Sequence, residues 1–236
     1  MAAYWTTSEI VNQAAGELGL NKYNTVVDTV DQSVLLLSLL NSAGNDLVTY
    51  YPWEQLVKEW TFTTTPNVDF VALPADLRYF TNQTQWDRTN HWPLLGPKSP
   101  AEWAWLKGSF VASLPRMRYR ILGDQLKFYP APATALSIAI EYISCNWVVS
   151  NAVPKTMSVL DADTVQFDPW LMVKFLKQKF TELKGLDSNG AMVADFMRTF
   201  SSLTGKDTGA QILSLAPVVN TPYLTMNSIP DGSWGV

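Results

Sequence analysis

The hydrophobic period of this chain changes twice, from helical to alternating and back, and those two changes constrain the fold more than any single motif does. From Ser8 to Leu20 the apolar residues Ile10, Val11, Ala14, Ala15 and Leu18 recur at helical spacing. Ser8 is the expected N-cap and Gly19 the terminator. A second helix is expected from Asp31, carrying Val34, Leu35, Leu37, Leu39, Leu40, Ala43, Leu47 and Val48. It is nearly apolar all round at its start, which suits the centre of a bundle or an interface. Pro52 ends it or opens a short third helix with Trp53, Leu56 and Val57.

Alternation then takes over. Trp60-Thr61-Phe62-Thr63-Thr64 reads as a half-buried strand, Pro66-Asn67 as a turn, and Val68 to Leu73 as the returning strand. A short helical turn is expected from Pro74 through Leu77 and Arg78, then a strand with a polar loop around Thr84 to Trp92. Ser99-Pro100-Ala101-Glu102 has the residues of a capped helix start. The clearest hairpin runs from Met117 to Tyr129, turning at Gly123-Asp124. Ser137 to Trp147 reads as another long strand, with Ile138, Ile140 and Tyr142 on one face.

Helical spacing returns at Asp168-Pro169, an N-cap followed by proline. Met172, Phe175, Leu176, Phe180 and Leu183 make the apolar stripe, and Gly185 closes it. A last helix is expected from about Asn189 to Leu203, after which Gly, Pro, Ser, Thr and Asn dominate. The expected fold is therefore α+β: a helical bundle formed by the N- and C-terminal helices, an inserted antiparallel β-domain, and an extended C-terminal tail. The expected boundaries are 1–57, 58–160, 161–206 and 207–236.

Composition narrows the function. Charged residues make up only 16% of the 236 residues, with a net charge of -4, against about 25% charged in a typical chain. A low charge fraction suits a surface partly buried against neighbours, and the absence of a long basic run argues against general attraction to phosphate. The one cysteine, Cys145, allows no intrachain disulfide, in keeping with folding in a reducing cytoplasm. The segment Met1–Trp5 lacks a basic start and a long apolar core, so no signal peptide is expected there. The longest apolar stretch, near Val34 to Leu40, is far shorter than the ~20 residues that span a bilayer.

The residues that carry chemistry are sparse. A single histidine, His91, excludes a site needing two, and its polar surroundings place it on a surface loop. Cys145 is expected to be a small, half-buried hydrophobe. Nucleophile elbows, P-loops, dinucleotide fingerprints and zinc spacings do not occur. Asp161, Asp163 and Asp168 have oxygen ligands for a divalent metal, but turn and cap duties explain them better. Neither a cofactor nor a metal is expected. Lys174, Lys177 and Lys184 fall near one face of the Asp168 helix. They make either a solvated face or a contact with an acidic partner or passing DNA. Ten tryptophans serve core packing, interfaces or sugar stacking. The tryptophans and the unassigned carboxylates keep two alternatives open, a cell-wall glycan hydrolase and a carbohydrate-binding module.

The C-terminal tail is polar in pattern yet keeps Tyr223, Leu224, Ile229 and Trp234. A pure linker gains nothing from such side chains in water. Buried on another subunit, each contributes roughly 1.5–3 kcal/mol before ordering costs. These four residues are the candidate contacts with another subunit, and the three lysines are the candidate partner-facing ones.

Five blocks of residues, taken in order, resemble the head-to-tail adaptor family of tailed phages, also called head completion or tail accessory proteins. The first runs Leu39-Leu40-Asn41-Ser42-Ala43-Gly44-Asn45-Asp46-Leu47, then Trp53-Glu54-Gln55-Leu56 and Phe62-Thr63-Thr64. The second is Leu73-Pro74-Ala75-Asp76-Leu77-Arg78 with Trp86-Asp87-Arg88, and the third Pro93-Leu94-Leu95-Gly96-Pro97-Lys98-Ser99-Pro100 with Trp103. The fourth joins Tyr119 to Leu126, Phe128 to Pro132, Glu141 to Ser144 and Asn146-Trp147-Val148. The fifth joins Asp161 to Thr164, the Asp168 helix and Lys184-Gly185-Leu186-Asp187. The helix starting at Asp168 departs from the family, which tends to carry more aromatic and basic residues there.

The resemblance implies a structural virion protein, not an enzyme, made in the host cytoplasm and placed at the head–tail interface. It implies a dodecameric ring of this chain beneath the portal protein, extending the DNA channel. The ring would dock tail or nozzle proteins and pass DNA as cargo without sequence-specific binding. No membrane partner is implied, and the C-terminal segment would anchor on the portal or on a neighbour.

Overall fold

The structure, a computed structural model, describes residues 4–27, 31–108, 116–186 and 190–207. It is an α+β fold of helices and antiparallel sheets. Helices α1 (Thr7–Glu17) and α2 (Asp31–Tyr50) lead through a 3-10 turn, Glu54–Leu56, into strand β1 (Val57–Thr63). Strands β2 (Phe70–Ala72), β3 (Leu77–Phe80), β4 (Trp86–Asp87) and β5 (Trp92–Pro93) precede helix α3 (Pro100–Gly108). Next come β6 (Arg118–Leu122), β7 (Gln125–Tyr129), β8 (Ser137–Ser144), β9 (Val148–Ser150), β10 (Val153–Lys155) and β11 (Thr164–Val165). Helices α4 (Pro169–Lys184) and α5 (Ala191–Asp207) complete the order.

The capping residues explain the helix limits. At α1 the cap is Thr6, not Ser8: Thr6 Oγ1 accepts from the Glu9 amide at 3.3 Å, and Glu9 Oε2 accepts from the Thr6 amide at 2.8 Å. This reciprocal box needs a carboxylate or amide three residues after the cap. Thr6 has Glu9 there, whereas Ser8 would have Val11. Asp168 caps α4 through a 2.9 Å bond from the Leu171 amide, with Pro169 inside the first turn and Gly185 at φ 65° closing the last. Ser99 and Glu102 form the same kind of box at α3.

Strand pairing differs from the local pattern in three places. Residues 68–73 do not return along β1; β2 pairs with β7, while β1 pairs along its whole length with β8, from Val57↔Ile143 to Thr63↔Ser137. Asn67, at φ 61°, donates its amide to the Pro132 carbonyl at 2.8 Å and so leads the chain away from β1. Pro74–Leu77 forms the expected turn, but Leu77 and Arg78 already belong to β3. The cause is long-range: the Asp76 carbonyl accepts from the Cys145 amide at 2.8 Å, aligning Tyr79 and Phe80 with Ile143 and Tyr142. Lastly, the short helix expected around Trp53 is only the 3-10 turn, because Val57 already belongs to β1. The hairpin over β6 and β7 forms as its residues indicate, with Leu122↔Gln125 flanking a turn whose first position, Gly123, sits at φ 59°.

Two cores result. In the larger, α4 packs against α1, α2 and α5, and the buried faces of all four helices meet Ile143, Trp147, Val148, Val165 and Phe167 from the strand region. Trp147 stacks on Phe167 at 6.0 Å between ring centroids and lies directly against Gly44 of α2. The smaller core joins Leu94, Tyr119, Leu126, Phe128, Ile138 and Ile140, with Trp60 and Phe62 of β1 packed on it. β8 therefore links the cores, with Ile138 and Ile140 in one and Ile143 in the other. No helix among the described residues is long and apolar enough to cross a membrane.

Candidate assembly surface

The carboxylates most open to a chemical reading are engaged with backbone amides. Asp161 Oδ1 accepts from the Val26 amide at 2.7 Å, and Asp163 Oδ2 from Val159 and Leu160 at 2.8 and 2.9 Å. Burial pushes the Asp163 carboxyl up, but hydrogen bonds from Ser150 and those two amides outweigh it and hold the group below the usual carboxylate range. Asp168 is the α4 cap. Among the described residues no group of three or more His, Cys, Asp or Glu is placed to hold a metal ion. His91 is exposed in the β4–β5 turn at φ 59°. Burial pushes the half-buried Cys145 thiol up, away from the reactive thiolate.

The α4 lysines reach different neighbouring helices. Lys174 Nζ reaches Asp195 Oδ1 at 3.0 Å and Thr199 Oγ1 at 2.9 Å on α5. Lys177 Nζ reaches Glu17 Oε2 at 2.6 Å on α1. Lys184 is exposed in the last turn and lies over the Phe180 ring at 5.8 Å. A fourth lysine, which spacing did not single out, completes the lacing. Lys179 Nζ meets Asp46 at 2.6 Å and Ser42 at 3.1 Å on α2, over the Phe175 ring. The only sequence signal for it was its place two residues after Lys177, on another side of the helix.

The tryptophans also sort by burial. Trp53, Trp103 and Trp147 are core residues, whereas Trp92, Trp105 and Trp170 are exposed. Tyr223, Leu224, Ile229 and Trp234 lie outside the described residues.

What the surface does offer is a groove of about 640 Å³ between α2 and residues 157–159. Val34, Leu37, Ser38, Asn41 and Asn45 line it from one face of α2, at the spacing that places side chains above one another on a helix. Met157 and Val159 form the opposite wall, with Val27 at the rim. Val34, Met157, Val159 and Val27 are each about half exposed, at 51%, 50%, 45% and 45%. A reciprocal pair of hydrogen bonds ties the floor together: Asn41 Nδ2 donates to the Ser158 carbonyl at 3.0 Å while the Ser158 amide donates to Asn41 Oδ1 at 2.8 Å. An open, largely apolar trough of this kind is the surface type at which proteins bind partners.

The model of the SU10 adaptor protein family matches residues 5–217, most of the chain and both of its cores. This chain belongs to the SU10 adaptor protein family. That is a phage head-to-tail adaptor family, so the protein is a structural component of a virion. No curated protein matches the chain. The adaptor's matched span ends at Pro217, before the four apolar tail residues.

Proposed function

We propose that the protein is a head-to-tail adaptor that forms a ring, expected to be dodecameric, between the portal protein and the tail. The ring extends the DNA channel and presents a docking surface to tail or nozzle proteins. The match to the SU10 adaptor family over residues 5–217 carries this reading. The low charge fraction and the apolar groove support it, since both suit a chain whose surface is shared with neighbours. In this reading α1, α2, α4 and α5 form the bundle that makes the ring wall, and the strand region is its insertion. The C-terminal segment, through Tyr223, Leu224, Ile229 and Trp234, anchors each copy on another subunit. Of the three candidate lysines, Lys184 is the best placed to face the channel or a partner. Lys174 and Lys177 must first break ion pairs within the chain.

Electron microscopy of portal-bearing heads, with and without the purified chain, tests the proposal. Added density in a ring beneath the portal is the expected result. Unchanged heads at saturating protein would sink it.

A further inference from the structure

We propose that the groove between α2 and residues 157–159 is the receptor for residues 223–234 of a second copy of this chain. The inference rests on the adaptor reading and names the surface that receives its C-terminal segment.

Charge, pattern and reach point to this occupant. Among the described residues no charged side chain lines the groove, and Asp231 is the only charged side chain in 208–236. Ion-rich partners would lose hydration there without finding a counter-charge, whereas an apolar, neutral strand would not. The groove is apolar at Val34, Leu37 and Met157 and polar at Ser38 and Asn45. That mixture offers pockets to spaced apolar side chains and hydrogen-bonding groups to the backbone between them. Because Asn41 and Ser158 already fix the floor, little ordering of the receptor is needed on binding.

Reach permits a neighbour's groove, and the ring reading places a neighbour beside each copy. The described chain ends at Asp207, whose carboxylate accepts from the Glu54 amide just past the C-terminal end of α2. From Tyr50 back to Ser38 along α2 is about 18 Å, so the groove of the same chain lies roughly 20–30 Å away. Tyr223 is 16 residues beyond Asp207, a reach of up to about 53 Å. A globular chain of this size is about 45 Å across. Fully extended, the spacer spans one molecular width, so the groove of an adjacent copy in the ring is within reach.

The test uses the full-length chain with a photo-reactive benzoylphenylalanine at position 157, assembled on portal-bearing heads from equal amounts of light and heavy-isotope protein. Illumination is expected to join position 157 to peptides containing Tyr223 or Trp234, with light–heavy pairs as frequent as like pairs. Like pairs alone would show that each chain fills its own groove and overturn the proposal. Cross-links from position 157 to portal peptides alone, or none to the tail, would also overturn it while leaving the adaptor reading standing. Absence of the chain from purified particles would remove the adaptor reading, and this inference with it. In parallel, Val34→Asp changes a half-exposed position and leaves melting unchanged. It should lower ring occupancy by about tenfold or more, as should Trp234→Ala, with no further loss in the double variant. Fully additive losses would mean that the two residues do not meet.

Discussion

Gly44 shows how much one side chain decides here. A Cβ at that position would overlap the fully buried Trp147 indole. Gly44→Ala is therefore expected to destabilise the chain by about 1–3 kcal/mol, as overpacking does. Gly16 is also helical but has nothing within 4 Å of its virtual Cβ. There the same change should stabilise by about 0.5–1 kcal/mol through backbone entropy. Urea unfolding midpoints of the two variants check both signs. Asp76 is the other decisive residue. Burial pushes its carboxyl up, but Lys58, Ser144 and Tyr142, at 2.6, 2.7 and 2.9 Å, outweigh that and hold it below its ordinary value. In return, burial and the Asp76 hydrogen bond push the Tyr142 hydroxyl up to about 12. Since the folded carboxyl titrates below the unfolded one, its stabilisation is full above the unfolded pKa of about 4 and is lost as pH falls through the folded value. Asp76→Asn should thus be less stable than wild type at neutral pH, with the gap closing in acid; a gap constant from pH 7 to 3 would refute the assignment.

Among the elements, α4 is the hub, because it contacts three other helices and its lysines bridge to each of them. Its start depends on Asp168, so Asp168→Ala should cost about 1 kcal/mol in thermal or urea unfolding. The β6–β7 hairpin depends on Gly123 for a different reason. Its φ of 59° is in the left-handed region, yet the space around it is open. Gly123→Val should cost about 1 kcal/mol or more from backbone strain alone, and an unchanged midpoint would contradict the turn geometry. These two elements were readable in advance because their signals are local: a cap next to a proline, and a glycine turn between alternating runs. The partner of β1 was not. Residues 60–64 and 68–73 look like a hairpin because a turn sits between them, but β1 finds β8 far along the chain.

At the scale of the whole molecule, the tail and the folded part should separate experimentally. The cut belongs after Asp207, since α5 runs that far and Asp207 bonds the Glu54 amide. Truncation there should leave the melting curve nearly unchanged and abolish attachment to portal-bearing heads. Normal occupancy of the truncated chain would remove the tail from the mechanism. The free chain is expected to be monomeric or weakly associated and to form rings only on its partner, because a ring closed early has no head to seat on. Mass photometry with and without portal measures this, and stable rings of the free chain at low concentration would count against it.

The order of helices and strands, the helix stops at Gly19 and Gly185, and the poverty of catalytic groups all follow from residues within a few positions of one another. Periodicity, caps and composition are local properties, and the chain states them openly. Three other features depend on residues more than a hundred positions apart. Glu17 and Asp46 determine where the α4 lysines point. Gly44 is required only because Trp147 arrives against α2. Likewise, the groove exists because Asn41 holds Ser158 at hydrogen-bond distance, so that half-exposed apolar residues of α2 face Met157 and Val159 across a gap. Nothing in the apolar run near Val34 says which of its side chains are covered. That depends on which segments pack over the helix, and long-range packing leaves the Val34 edge open.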